Sequence, residues 1–213
     1  GFVACTFKRG IDFINIPTSL LAMVDASVGG KTGIDLGALK NQVGVIEEPK
    51  MVLVETDYLE TLPEHEYRSG YAEMLKHGLI HEPEYFDTLS SFLSRQEILP
   101  HIYHSVRVKA EVVNEDPYEH GLRKILNFGH SFAHAYEATL GFSKKLNHGE
   151  AVILGMKTAL NFSLKTKFMN IREYYSIIDH IDNSDLPSSV SKFFGPKDVN
   201  KILSFMAKDK KIK

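Results

Sequence analysis

The 213-residue sequence has few of the features that would place it among membrane, secreted or nucleic-acid-binding proteins. Its one cysteine, Cys5, cannot form an internal disulfide, which suits a reducing compartment. No apolar run approaches the roughly 18 residues that a transmembrane helix requires. Twenty-five basic and 27 acidic residues give a net charge of −2, without the basic tail that nucleic-acid binding favours. We therefore expect a cytoplasmic globular protein with no membrane or nucleic-acid partner.

The hydrophobic pattern changes character near residue 62. Residues 11–16 (I-D-F-I-N-I) and 51–55 (M-V-L-V-E) are short β-leaning runs that suit buried strands, and Thr18 or Ser19 can cap a helix between them. After Pro63 the apolar residues recur at helical spacing. The sequence therefore predicts an α/β part over residues 1–61 and an all-α domain over residues 62–213.

Three histidines lie close together in the sequence around two glycines. His130 and His134 are four residues apart and share one face of a predicted helix, and His148 lies beyond a loop. Upstream, Glu73 and Lys76 also share a helical face. Two imidazoles and one carboxylate with an open position form a catalytic zinc site. The H-E-x-x-H motif is absent, so spacing alone leaves open both a metal site and ordinary packed or surface histidines.

The segment D-A-S-V-G-G-K-T, residues 25–32, ends like a phosphate-binding P-loop but departs from its pattern. The P-loop requires glycine five residues before Gly30, and Asp25 stands there. Gly29 and Gly30 still allow a ligand to approach the backbone closely, and Lys31 could face phosphate or hydroxyl oxygens. The alternative is a flexible turn with a solvated lysine.

Several blocks together resemble the 3-dehydroquinate synthase family in order and spacing. They are P-T-S-L-L-A-M-V-D-A-S-V-G-G-K-T-G (17–33), K-N (40–41), A-E-M-L-K-H-G-L-I (72–80), V-K-A-E-V-V (108–113), G-L-R-K-I-L-N-F-G-H (121–130) and H-G-E-A-V (148–152). The resemblance implies an NAD+- and metal-dependent carbon–oxygen lyase of the shikimate pathway, which supplies aromatic amino acid biosynthesis. It would convert 3-deoxy-D-arabino-heptulosonate 7-phosphate to 3-dehydroquinate and phosphate. It also implies one Zn2+ or Co2+ ion and a homodimer.

The resemblance assigns a role to individual residues. It implies that the metal ligands are Glu73, His130 and His148, and that the catalytic residues are Glu119, His134 and Lys76. For the sugar-phosphate substrate it implies Arg9, Asp25, Lys31, Asn41, Lys109, Arg123, Asn127 and one of Lys210 or Lys211. For NAD+ we expect Thr18, Ser19, Lys31, Lys40, Tyr58 and Thr61. An exposed loop carboxylate is the alternative for Glu119.

Two features of this sequence depart from the family's usual pattern, and the beginning of the family's first domain is missing. The segment between His134 and His148 is about two residues longer than in some members, and Phe132 stands where smaller residues are frequent. The early strands and the glycine-rich turn of the family's cofactor domain do not precede Gly1, so we expect a partial α/β domain from a longer enzyme.

Three rival functions remain open from the sequence. A sugar-phosphate cyclase of the 2-deoxy-scyllo-inosose or valiolone type would keep the metal ligands and alter the cations that read the substrate carboxylate. Arg123 and Asn127 favour dehydroquinate formation instead. An NAD-dependent polyol dehydrogenase of related fold would not need this set of cations. The rival from another class is a helical module that binds metal without catalysis.

Overall fold

The computed structural model describes residues 1–36, 39–89, 91, 93–184, 186 and 189–207. The side chains of residue 35 and residues 39–42 also lie outside the described part, and so do the expected ligand residues Lys210 and Lys211. The helices are α1 (Phe2–Thr6), α2 (Glu64–His81), α3 (Pro83–Thr88), α4 (Leu99–Glu115), α5 (His130–Thr139), α6 (His148–Lys165), α7 (Ile171–Asp182) and α8 (Val199–Met206). The strands are β1 (Ile14–Asn15), β2 (Lys31–Leu36), β3 (Leu39–Ile46) and β4 (Met51–Val52).

The order of elements confirms the predicted fold class, a partial α/β region followed by helices. β1 pairs with β4 in parallel, with Ile14 opposite Met51. β2 and β3 form an antiparallel hairpin in which Ile34 lies opposite Val43. The sequence pattern did not predict this hairpin, because its glycines had indicated only a loop.

The expectation that the two predicted strands are buried is wrong for this structure. Ile14 and Met51 are 57% and 55% exposed. The reason is that β1 and β4 form a two-stranded sheet, and no further strand joins it within the described residues. The helix predicted after Ser19 does form, and Ala22–Ala26 is a π-helical turn that buries Met23 and Val24. The Ser19 hydroxyl accepts the Ala22 amide proton at 3.3 Å.

The centre of the molecule is α2, which is buried on nearly all sides. It packs against α3, α4, α6 and the Ala22–Ala26 turn. Tyr71, Met74 and Leu75 are fully buried there, and they join buried residues of α6 such as Val152 and Met156 in one core cluster. Because α2 has no solvent face over this stretch, its polar side chains are also held inside the protein. None of the helices in the described part of the chain is long and apolar enough for a membrane span.

Candidate active site

A carboxylate and two imidazoles meet at the centre of the helical region. Glu73 lies on α2 and is completely buried, while His130 and His148 are the first residues of α5 and α6. Glu73 Oε1 lies 3.5 Å from His130 Nε2 and 3.6 Å from His148 Nε2. One ligand atom from each residue lies within 4.8 Å of the other two. The structure thus brings together the three residues that the sequence indicated as metal ligands.

Local backbone features place both histidines at the starts of their helices. Gly129 precedes α5 with a φ of 79°, a left-handed conformation that favours glycine. Asn147 caps α6: its side chain accepts the Glu150 amide proton, and the Glu150 side chain accepts the Asn147 amide proton. Each helix therefore starts at a fixed position, and each presents its first side chain to Glu73.

The two oxygens of Glu73 have different surroundings. Lys76, one turn along α2, donates to Oε2. Oε1 is buried, has no hydrogen-bond partner among the described residues and faces the two imidazoles. A buried carboxylate oxygen without a partner is costly unless something completes its coordination. Two imidazole nitrogens and one carboxylate oxygen are a ligand set that a divalent metal accepts. The donor set therefore fits the metal that the family resemblance implies.

The charges around the site favour a carboxylate that is ready to bind a cation. Burial would raise the pKa of Glu73, but the neighbouring Lys76 and His130 outweigh this effect and hold the pKa below its usual range. Burial would lower the pKa of Lys76, yet the Glu73 and Asp25 charges raise it. Burial would also lower the pKa of His148, whereas Glu137 and Glu73 raise it to about 9. The site is therefore a compact network of paired charges.

His134 lies beside these three residues, one turn along α5 from His130. Its ring centroid is 5.7 Å from that of His130 and 6.5 Å from that of His148. This position agrees with the expectation that the two α5 histidines share one face. His134 therefore adjoins both imidazoles of the three-residue group.

A second polar group adjoins Glu73 on the side of the Ala22–Ala26 turn. Asp25 Oδ1 lies 2.8 Å from Lys109 Nζ of α4 and 3.7 Å from His77 Nε2 of α2. Burial would raise the pKa of Asp25, but Lys109 and Lys76 hold it well below its usual range. Asp25, Glu73 and His77 form another set of close potential metal ligands. Two of the expected substrate residues, Asp25 and Lys109, are therefore paired with each other beside the three ligands.

Glu119 is held by two residues that the sequence had assigned to the substrate. Lys31 Nζ lies 2.6 Å from Glu119 Oε2, and the Asn127 amide donates to Glu119 Oε1 at 2.6 Å. Glu119 itself has a φ of 62°. The Asp116 carboxylate accepts amide protons from His120, Gly121 and Arg123, which fixes the loop that carries Glu119.

Arg123 is buried, and its guanidinium donates to backbone carbonyls. Nη2 donates to the Gly29 oxygen at 2.7 Å, and Nη1 donates to the Pro117 oxygen. Arg123 thus connects the glycine turn with the Glu119 loop. Its predicted contact with a substrate anion stays a prediction.

Other expected ligand residues lie in the first part of the chain. Arg9 lies in the exposed turn Phe7–Arg9 with a φ of 71°. Thr18, Tyr58 and Thr61 are exposed, and Ser19 is half-buried. The side chains of Lys40 and Asn41 lie outside the described residues. The assignment of these residues to substrate or NAD+ stays a prediction.

Sequence reasoning did not single out His77 and Glu137, which both contact the site. His77 follows Lys76 directly, within a block that had already been noted. Glu137 lies seven residues after His130, so it falls on the same helical face two turns later. That spacing was an available signal. The contact of Glu137 with His148 comes from another helix and could not be deduced from spacing.

Models of protein families match almost the whole chain. The N-terminal region of 3-dehydroquinate synthase matches residues 1–69, and the C-terminal region of the same family matches residues 70–212. The 3-dehydroquinate synthase of Pelagibacter ubique (strain HTCC1062) is 49% identical over 217 residues, which covers 99% of this chain and 59% of the relative. The enzyme of the same name from Zymomonas mobilis (strain ATCC 31821 / ZM4 / CP4) is 42% identical, and the match covers 100% of this chain and 58% of the relative.

Solved structures of related enzymes share the fold. The 2-epi-5-epi-valiolone synthase of Streptomyces hygroscopicus subsp. jinggangensis 5008, with NAD+ and Zn2+ bound, has a TM-score of 0.85 at 27% identity, covering 98% of this chain and 58% of that chain. A 2-deoxy-scyllo-inosose synthase complexed with carbaglucose-6-phosphate, NAD+ and Co2+ has the same TM-score at 25% identity and the same coverage. The chain spans 58–59% of the length of these relatives. Since the family models account for nearly every residue, the chain belongs to the 3-dehydroquinate synthase family.

Proposed function

We propose that the protein carrying this chain is a 3-dehydroquinate synthase, which forms 3-dehydroquinate and phosphate from 3-deoxy-D-arabino-heptulosonate 7-phosphate. One observation carries the proposal: Glu73 directs at His130 and His148 a buried oxygen that has no hydrogen-bond partner in the described part of the chain, inside a sequence that is 42–49% identical to enzymes of that name. Buried cations beside this group suit a substrate that bears both a phosphate and a carboxylate.

Glu73, His130 and His148 would hold one divalent cation, either Zn2+ or Co2+, because nitrogen and oxygen ligands suit both ions. When bound, the metal would polarise substrate oxygens as a Lewis acid, and NAD+ would oxidise one secondary alcohol and later return the hydride. Thr18, Ser19, Lys31, Lys40, Tyr58 and Thr61 are the residues that we assign to NAD+.

The polar side chains around the metal ligands would bind and orient the substrate. Lys109 and Asp25 lie next to Glu73, and Lys31 and Asn127 meet at Glu119. We propose that these four residues bind the anionic groups and hydroxyls of the substrate, together with Arg9, Asn41 and Arg123. Arg123 Nε has no hydrogen-bond partner among the described residues, so its guanidinium keeps a donor for an anion beside the two that bind backbone carbonyls.

Three residues would hold or move protons during the reaction. His134 lies next to both imidazole ligands, and Glu119 stands between Lys31 and Asn127. Lys76 is the third, and it contacts Glu73 Oε2, the carboxylate oxygen next to the one that faces the two histidines. We propose Glu119 and His134 for proton transfer to and from the substrate, and Lys76 for stabilising negative charge that develops there.

A sugar-phosphate cyclase of another specificity is the second candidate. The favouring observation is that 2-epi-5-epi-valiolone synthase and 2-deoxy-scyllo-inosose synthase share the fold with a TM-score of 0.85. Their sequence identity of 25–27% is well below the 42–49% shared with 3-dehydroquinate synthases, so we prefer the latter activity.

We also propose the organisation of the protein. The α/β part would end near residue 61, just before α2 begins at Glu64. A homodimer is supported by the exposed apolar side chains on one face of the β2–β3 hairpin, namely Ile34, Val43 and Val45. A cytoplasmic location is supported by the single cysteine.

Phosphate release tests the proposed activity. The protein carrying this sequence is incubated with NAD+ and either Zn2+ or Co2+, and inorganic phosphate is measured. We expect release from 3-deoxy-D-arabino-heptulosonate 7-phosphate and none from glucose 6-phosphate, whose carba-analogue is bound in the 2-deoxy-scyllo-inosose synthase structure. Release from glucose 6-phosphate alone would assign the protein to the second candidate.

A further inference from the structure

The imidazole of His148 lies between two carboxylates. Its Nε2 is 3.6 Å from Glu73 Oε1, and its Nδ1 is 3.5 Å from Glu137 Oε1. Glu137 lies on α5 and is only 5% exposed. Its carboxylate therefore stands on the opposite side of the ring from the proposed metal position, at ion-pair distance and at the outer limit of a hydrogen bond.

A histidine that binds a metal must present one nitrogen without a proton. The other nitrogen then carries the proton and donates it to an acceptor, and a carboxylate in that place fixes the tautomer, orients the ring and makes the metal-binding nitrogen more basic. The placement of Glu137 satisfies this requirement for His148.

The other imidazole ligand has a different arrangement. His130 Nδ1 lies 3.3 Å from the backbone oxygen of Phe128. Both rings therefore turn Nε2 towards Glu73 and Nδ1 towards an acceptor, but the acceptor is an uncharged carbonyl for His130 and a carboxylate for His148. Because its acceptor is charged, the basicity of His148 depends more on the neighbouring group than the basicity of His130 does.

We propose that Glu137 is a positioning residue that keeps the proton of His148 on Nδ1, directs Nε2 to the metal and thereby tightens metal binding. This inference rests on the metal site of the proposed function. Glu137 does not contact the metal itself, and its effect acts entirely through His148.

The affinity for Zn2+, measured by competition with a chelator at neutral pH, tests this role in three variants. Glu137→Ala removes the acceptor, and we expect binding about 10- to 100-fold weaker than in the unaltered protein. Glu137→Gln keeps the size and an uncharged acceptor oxygen, so we expect a smaller loss. Glu111→Gln is the matched control: Glu111 pairs with His81 at 3.0 Å on the surface, and the change should leave Zn2+ affinity unaltered.

The visible absorption spectrum of bound Co2+ separates a positioning role from a purely structural one. We expect both Glu137 variants to shift the Co2+ bands, because the donor strength of His148 changes. Weaker binding with an unchanged Co2+ spectrum would assign the loss to the fold and overturn the proposal. Zn2+ affinity that is equal in Glu137→Ala and the unaltered protein would overturn it while leaving the metal site intact. An unaltered protein that binds no metal would overturn both.

Discussion

At the scale of single residues, a neighbour on the same helix determines which oxygen of Glu73 faces the two histidines. Lys76 is three residues further along α2 and contacts one carboxylate oxygen, which leaves the other directed at the two imidazoles. Both side chains are at most 1% exposed. The carboxylate is thus kept charged and oriented before any cation binds, because the ammonium compensates its charge in a place where water does not reach.

This pairing predicts the effect of Lys76→Met on the metal-free protein. The substitution removes the ammonium that contacts Glu73 Oε2, and breaking a buried pair in this way costs about 3–5 kcal/mol of unfolding free energy. Urea unfolding in the presence of a chelator measures the change. Adding Glu73→Gln should restore most of the loss. Lys157→Met, which removes a partly exposed pair with Asp182, is the control and should cost about 0–1 kcal/mol.

His180 on α7 predicts that the stability of the protein depends on pH. Its ring on α7 stacks on Phe86 of α3, with 3.9 Å between the ring centroids. Burial lowers the pKa of His180, and Asp87 and backbone hydrogen bonds oppose this effect only in part. The unfolded chain takes up this proton near pH 6.5, whereas the folded protein resists it. Stability should therefore fall as the pH drops through about 6.5.

The variant His180→Phe keeps an aromatic ring on Phe86 and cannot be protonated. Unfolding free energies measured from about pH 8 to about pH 5 should show the unaltered protein losing stability relative to the variant as the pH falls. A relative gain at low pH would show that the folded state binds this proton more tightly than the unfolded chain, contrary to our reading.

The sequence predicted which three residues meet at the site, but not the residues that contact them. Glu73, His130 and His148 lie in short blocks whose spacing and family resemblance are visible in the chain. Glu137 meets His148 only because α5 and α6 pack side by side, and such a tertiary contact has no local signature. The direction of the Arg123 guanidinium was equally hidden, since it depends on where the carbonyls of Gly29 and Pro117 lie.

At the scale of elements, the close contact of α2 with α6 holds the site together. The Gly149 amide donates to the Ser69 hydroxyl at 2.9 Å. A Cβ atom on Gly149 would lie 2.3 Å from the Ser69 Cα atom, so any side chain there must push the two helices apart. Glu73 lies one turn after Ser69, and His148 precedes Gly149. The separation of the helices therefore sets the distance between the side chains of Glu73 and His148.

We expect Gly149→Ala to weaken both folding and metal binding. Overpacking of this kind costs about 1–3 kcal/mol, and the shift moves His148 away from Glu73. Thermal unfolding and Zn2+ affinity are the two measurements. Gly195→Ala, where a Cβ would meet only the Asp198 carboxylate at 4.0 Å, is the control and should change stability by less than about 0.5 kcal/mol. Unaltered Zn2+ affinity in Gly149→Ala would show that helix separation does not control the site.

The elements differ in how well the sequence could predict them. The helical spacing after Pro63 predicted the long helices because their apolar residues recur with a clear period. The β2–β3 hairpin was missed, since Gly33 and Gly44 lie opposite each other and interrupt the alternation of apolar residues. A Cβ on Gly44 would lie 2.2 Å from the Thr32 oxygen, so that glycine serves close backbone contact within a strand rather than a loop.

At the scale of the whole molecule, apolar exposure is concentrated in the first part of the chain. Ile34, Val43 and Val45 are 42–46% exposed on one face of the hairpin. Sequence patterns place apolar residues in strands without showing what covers them, so this exposure was not predictable. In the proposed homodimer, this face would lie in the interface.

We expect Ile34→Lys to shift the protein from dimer to monomer, because a buried ammonium without a partner opposes association. Sedimentation velocity over a range of concentrations measures the shift. Tyr103→Lys, at an exposed aromatic residue of α4, is the control and should leave the dimer intact. A dimer that withstands Ile34→Lys would place the interface elsewhere on the protein.

Above all, we propose that Glu73, His130 and His148 hold one divalent cation. Anomalous diffraction from crystals grown with Zn2+ tests it most directly. We predict a single strong peak about 2.0–2.2 Å from Glu73 Oε1 and from the Nε2 atoms of both histidines. A peak among Asp25, Glu73 and His77, or no peak within reach of His130 and His148, would contradict the account.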